Sequence, residues 1–311
     1  MISPPKTTGG RAGLLIEDSD QCLWVRRCHG LGNVICLLPV LDRLHYQDYA
    51  INVITQPDWL DAFSALRPDF AWYNCTIDAP DDDQVVDLDD LTRHSSPCEH
   101  RTDEFGRLLA VDPPFPPPAL AVPDGWTRPF EHLRDAVVFA PEGGHPSRTW
   151  PVEQAALLKD HLADNNLPQK LVLVGNDPAP EIPCNVDTRG KLQLTELFGL
   201  LAAAGVVVTM DSAVLHIAAA LKTPTVAIFG GVDPAYRIRP EQPVVVIQAN
   251  VTCCPCNKQE TCRQSYNCIR SAAPTDITQA VQLAKNVETL TIKQVNCLPK
   301  RYLTQVSQEL L

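Results

Sequence analysis

The sequence predicts an α/β protein of two doubly wound domains, each with a largely parallel sheet. Three observations carry that expectation. Runs of Val, Ile and Leu without polar alternation recur, as in AVVFAP (136–141), KLVLVG (170–175) and GVVVTM (205–210); such strands suit a parallel sheet covered on both faces. Helical patterns fall between the strands in both halves. The halves are separated by VDPPFPPPALAVPDGWTRP (111–129), whose seven prolines read as a semi-rigid linker without regular structure. A chain of 311 residues is long for one core and comfortable for two.

In chain order, QCLWVRR (21–27) is a strand that feeds a glycine turn, CHGLGN (28–33), and a helix over VICLLPVLDRL (34–44). INVITQ (51–56) is a strand, and PDWLDAFSAL (57–66) a short helix with Pro at its start, where a missing N–H costs little. FAWYNC (70–75) and VVDLDD (85–90) are strands, with the acidic run Asp78 to Asp83 as a solvated loop between them. Beyond the linker come a strand (136–141), an amphipathic helix (151–165), a strand (170–175), a helix (194–204) and a strand (205–210). A helix (212–221), strands at 225–230 and 243–248 and a helix (276–290) complete the order. The expected domains are residues 1–125 and 126–290, followed by a tail, 291–311.

The net charge of −11 disfavours a polynucleotide partner, which calls for clustered Lys and Arg. The longest apolar stretch, LFGLLAAAGVVVTM (197–210), is too short to span a bilayer. With no secretory h-region after MISPPKTTGG, the expectation is a soluble, cytoplasmic protein.

Ligands of doubly wound sheets sit beyond the carboxyl ends of the strands. That rule selects the loops 28–33, 141–150, 175–178 and 209–212. In TMDSAVLHIAAAL (209–221), Asp211 and Ser212 close a strand and open a helix, and His216 follows one turn later, facing the same mouth. Asp or Ser there can be an ordinary N-cap; the backbone N–H groups of 212–214 can equally hold an anion. In PEGGHPSRTWP (141–151), Gly143 and Gly144 let backbone approach a ligand, Ser147 adds a hydroxyl, and the Arg148 guanidinium is suited to a diphosphate. A glycine turn with a surface arginine would look the same.

Together PEGGHPSRTWP and DSAVLHIAAALKTPTVAIFG (211–230) resemble two motifs of glycosyltransferase family nine, the heptosyltransferases of lipopolysaccharide biosynthesis and their relatives. RGKLQLTELFGLLAAAGVVV (189–208) and CHGLGNVICLLPVLDRL (28–44) are similar to further family segments. The resemblance implies a GT-B fold, with two Rossmann-like domains facing a cleft. The C-terminal domain would hold a nucleotide-diphosphate sugar, an ADP-sugar by family precedent. The N-terminal domain would hold a glycan or other hydroxyl acceptor, and the tail would cross back to it. Arg148 stands at the family's diphosphate-binding lysine, and Asp211, Ser212 and His216 match the donor block. Asn176 and Asp177 are placed for the ribose. Ala213 and Val214 replace a usual Gly-Pro pair.

The family's base is an Asp in the N-terminal glycine turn, between Gly30 and Gly32 on one side and the helix on the other. Here it is Asn33, and an amide accepts no proton at neutral pH. His29 is the nearest titratable residue in that turn. The expected function is therefore inverting sugar transfer without a catalytic cofactor. The alternatives are a nucleotide-sugar-binding protein without turnover, or a GT-B epimerase or nucleobase-modifying sugar transferase.

Five of the twelve cysteines lie between 253 and 268. Cys253, Cys256, Cys262 and Cys268 have spacing that could close on a structural zinc or iron, with Cys254 extra. Free or redox-labile thiols fit the same residues, and disulfides are disfavoured in a reducing compartment.

Overall fold

The computed structural model describes residues 21–76, 84–92, 98–167, 170–257 and 262–296. The predicted acidic loop at 78–83 and the tail beyond 296 lie outside them.

The N-terminal half contains β1 (Cys22–Arg26), α1 (Leu31–Tyr46), β2 (Ala50–Thr55), α2 (Leu60–Leu66), β3 (Ala71–Asn74), β4 (Val85–Asp87), α3 (Leu88–Thr92) and α4 (Arg101–Leu108). Its four strands pair in the order β3-β2-β1-β4, all parallel. The predicted strand at 85–90 is shorter than expected. The Asp87 carboxylate accepts hydrogen bonds from the backbone N–H groups of Asp89 (2.9 Å) and Asp90 (3.0 Å), so it starts α3 as soon as the strand ends.

The C-terminal half contains α5 (Asp124–Thr127), β5 (Val137–Ala140), α6 (Val152–Asp164), β6 (Leu171–Leu173), β7 (Val186–Asp187), α7 (Leu194–Ala203), β8 (Val206–Met210) and α8 (Ala213–Ala220). It continues with β9 (Thr225–Phe229), β10 (Val244–Asn250), α9 (Asn267–Arg270), α10 (Pro274–Ala284) and β11 (Thr291–Asn296). These strands form one parallel sheet in the order β11-β10-β9-β8-β5-β6-β7. Strand order reverses beside β1 in the first sheet and beside β5 in the second. Those reversals open the crevices in which doubly wound sheets take ligands.

Two stretches differ from the sequence expectation. The linker is irregular only over 111–123; α5 and a 3₁₀ turn at Arg128–Leu133 follow directly. Gly199 of α7 explains the seat of α5, because a Cβ there would stand 2.0 Å from the Trp126 carbonyl oxygen. The tail also begins differently: residues 291–296 extend the second sheet beside β10 instead of leaving it.

A shared core joins the halves. Val34 and Ile35 of α1 and Ala62 and Phe63 of α2 bury against Phe198 of α7 and Val214, Ile217 and Ala218 of α8. The loops that close β1, β5, β6 and β8 therefore meet at one place.

Candidate active site

These loops line a cleft of about 1060 Å³. The N-terminal half contributes Gly30, Gly32, Asn33, Asp58, Trp59 and Arg101; the C-terminal half contributes Glu142, Gly143, Gly144, Arg148, Asn176, Asp177, Asp211, Ser212, His216 and Arg237, with others. Most residues singled out in the sequence thus come together. His29 and Ser147 do not line this cleft.

The 141–150 loop is anchored at its far end. Trp150 is buried, and its indole N–H donates to the Ala272 carbonyl at 2.8 Å. An antiparallel bridge between Glu142 and Thr149 closes the loop. Gly143 sits so tightly that a Cβ would lie 2.7 Å from the Arg148 carbonyl oxygen and 3.0 Å from that of Asp211. Ser147 is buried and shares a 2.8 Å hydrogen bond with His145 Nδ1, so it shapes the turn instead of facing the cleft. Arg148 reaches across: its Nη1 donates to the Asp211 carbonyl at 3.4 Å, while its buried Nε finds no acceptor among the described residues.

At the mouth of β8, Ser212 is the N-cap residue by position, yet its side chain makes no capping bond. Its hydroxyl pairs with Thr209 Oγ1 at 3.1 Å. The ordinary-cap reading of Ser212 therefore fails, and the first N–H groups of α8 have no side-chain cap as they face the cleft. Asp211 is buried; its Oδ1 lies 3.5 Å from Arg237 Nε, and its Oδ2 has no hydrogen-bond partner among the described residues.

His216 projects from α8 onto α1. A Cβ on Gly32 would stand 2.4 Å from His216 Cδ2, so Gly32 leaves room for this imidazole at the wall of the cleft it lines. Cys36 Sγ stands 3.4 Å from His216 Nδ1. Burial, reinforced by Arg237, Arg101 and Arg148 against the opposing pull of Asp211, pushes the imidazole down to about 4. It is neutral at physiological pH. Desolvation holds the Glu142 carboxyl above its ordinary value.

His29 is largely exposed, and its Nδ1 lies 3.2 Å from Asp89 Oδ2. Asp89 also accepts from the backbone N–H of Cys28 at 2.7 Å and of His29 at 3.1 Å, which ties the turn to α3. The charged cleft residues missed in the sequence are Asp58, Arg101, Glu142 and Arg237. Glu142 lies in the PEGGHPSRTWP loop, where a lone carboxylate carries no signal of its own; the others come from segments whose spacing signals nothing.

The cysteine segment packs behind this site. Cys254 Sγ donates to the Gly230 carbonyl at 3.1 Å, and a Cβ on Gly231 would meet Cys256 Sγ at 2.7 Å. Cys253 is exposed, and Cys262 Sγ accepts from the Tyr266 N–H at 3.4 Å. Among the described residues no three His, Cys, Asp or Glu side chains are grouped to hold a metal ion. Cys254, Cys256 and Cys268 gather at Gly230 and Gly231, and Cys253 is exposed beside them. Among the described residues no helix is long and apolar enough to cross a membrane.

Comparison with known proteins places the fold. No curated protein matches the sequence. A glycosyl transferase family 9 structure from Veillonella parvula superimposes with a TM-score of 0.68 at 14% identity, covering 86% of this chain and 98% of that one. The iron-containing dodecameric glycosyltransferase TibC from enterotoxigenic E. coli gives 0.67 at 15%, covering 85% and 75%; a further TibC structure holds ADP-D-beta-D-heptose. E. coli ADP-heptose lipopolysaccharide heptosyltransferase II gives 0.56 at 16%, covering 85% and 98%. These likenesses are of fold, and the fold is GT-B. The family model for glycosyltransferase family 9 (heptosyltransferase) matches residues 73–270, more than half of the chain. The chain belongs to glycosyltransferase family 9.

Proposed function

We propose that the cleft binds a nucleotide-diphosphate sugar through residues 126–290 and an acceptor hydroxyl through residues 1–125, and transfers the sugar with inversion. The observation that carries the reading is the meeting of Arg148 and the uncapped N-terminus of α8 with the Gly30–Asn33 turn across one cleft. Charge grows on the diphosphate as its bond to the anomeric carbon breaks. Arg148, Arg237 and the α8 N–H groups answer that charge. Asn176 and Asp177 are assigned to the ribose, Asp211 to the sugar end of the donor and His216 to its diphosphate end. An ADP-sugar is the first donor to test, by analogy with the ligand of TibC.

The acceptor oxygen attacks the anomeric carbon from the opposite face and gives its proton to a base. Asn33 faces that region as an amide and serves as a hydrogen-bonding partner. His29 is turned to Asp89. Asp58 is the carboxylate that the N-terminal half contributes to the described lining, and we assign it the proton. The cysteine segment has no part in the transfer step.

ADP binding by calorimetry tests the site. Wild type binds, and Arg148→Ala weakens binding about 10- to 100-fold, the share of one charge-assisted contact. Normal binding by Arg148→Ala would place the donor elsewhere. Asn33 supports a second reading, a nucleotide-sugar-binding protein without turnover. ADP-sugar binding without transfer to any of a panel of glycan acceptors would favour it.

A further inference from the structure

His216 is the imidazole of the described cleft lining, and its two nitrogens have different surroundings. Nδ1 points at Cys36 Sγ, 3.4 Å away in α1. Nε2 has no protein partner among the described residues and lies toward Gly32, itself a lining residue, with 3.3 Å to the place a Cβ would occupy there. Cys36 is 1% exposed, and burial pushes its thiol up to about 11, so it keeps its proton. The imidazole is neutral and carries a single N–H.

Two arrangements are possible for these two protons. If Nδ1 carried the ring proton, the Cys36 S–H would be left in a dry site without its imidazole acceptor, and the Nε2 lone pair would face the anionic end of a donor. If Nε2 carries it, S–H donates to Nδ1 and an N–H faces the cleft. The second arrangement gives both protons a use.

We propose that Cys36 is a positioning residue that fixes His216 as its Nε2–H tautomer and so presents a neutral hydrogen-bond donor to the diphosphate end of the bound nucleotide sugar. The donor-facing part rests on the site proposed above; the tautomer does not. Neutral His216 adds no charge to a site that already has Arg148 and Arg237. It adds direction, because α1 and α8 clamp the ring between Gly32 and Cys36.

The test is long-range ¹H–¹⁵N correlation on full-length protein labelled at histidine, at neutral pH, with and without ADP. His216→Asn assigns the signals. Wild type should show a protonated Nε2 and a bare Nδ1, with Nε2 shifting on ADP addition. Cys36→Ala should show averaged nitrogens and Cys36→Ser, which keeps a donor, the wild-type pattern. In turnover, Cys36→Ala should lower kcat about fivefold, one neutral hydrogen bond's worth. Cys36→Ser should recover it. Protonation at Nδ1 in wild type, or an unchanged single tautomer in Cys36→Ala, overturns the role of Cys36. A wild-type Nε2–H that ADP does not move would sink the donor site and leave the Cys36–His216 pair standing.

Discussion

Asn33 and Asp58 pose the sharpest question at the scale of single residues. A carboxamide stands in the turn where the family has its base, and a carboxylate from the segment after β2 lines the same cleft. Asp58→Asn removes the only proton-accepting atoms of that side chain and keeps its shape. Its kcat should fall by about two to four orders of magnitude. ADP affinity should stay within about twofold, since the change lies outside the proposed donor contacts. Parallel turnover and calorimetry check both halves, and an unchanged kcat would return attention to His29. That Arg148, Asp211, Ser212 and His216 would meet in one cleft was legible in the sequence, because they lie in two short contiguous motifs. Arg101, Arg237 and Asp58 were not legible. Each reaches the cleft from a different element, and nothing in local spacing tells which side chains a fold will turn toward a distant loop.

At the scale of elements, the contact of α1 with α8 decides how the two sides of the cleft meet. Helices approach closely where one side chain is absent, and Gly32 is that position: the His216 ring occupies the space of its missing Cβ. Gly32→Ala forces the two helices apart or the ring out of place, at about 1–3 kcal/mol, the range for overpacking a tight interior. Denaturant midpoints should fall accordingly, and the His216 nitrogen signals should move with them. A Gly32→Ala protein as stable as wild type would mean that the helices meet less closely than 2.4 Å implies. Helix and strand periodicity predicted α6, α7 and α8 and the buried strands within a residue or two, and α1 within three. It missed α4, whose polar composition hides its burial, and β11, which a run of polar residues does not announce as a strand. Both are held by tertiary packing and pairing, not by pattern.

For the whole molecule, the polar junction between the halves makes a prediction about acid. Two parallel sheets and the linker were readable from alternation and proline content, but the junction chemistry was not, because it assembles residues far apart in sequence. Arg239 grips Asp103 of α4 with two bonds, Nη1 to Oδ2 at 2.9 Å and Nη2 to Oδ1 at 2.7 Å. Beside them His100 caps α4, its Nδ1 accepting from the Thr102 N–H at 3.1 Å. Burial, with Arg239, His216 and Arg237 close by, pushes His100 down to about 3, and His216 stands at about 4. An unfolded chain protonates both imidazoles near pH 6.5. Between pH 6.5 and about 4 the unfolded state therefore binds protons that the folded state refuses, and stability falls as pH falls. Each imidazole contributes a slope of about 1.4 kcal/mol per pH unit across that window. Above about pH 7.5 both are almost wholly neutral in either state and add little slope. Urea titrations at pH 7.0, 6.0 and 5.0 measure this directly. His100→Asn keeps a capping oxygen for the Thr102 N–H and removes one titrating group. Its loss of stability between pH 6 and 5 should be shallower than that of wild type by about 1.4 kcal/mol. Equal slopes in the two proteins would show that His100 is not excluded from protonation, and that the junction opens to water well above pH 4.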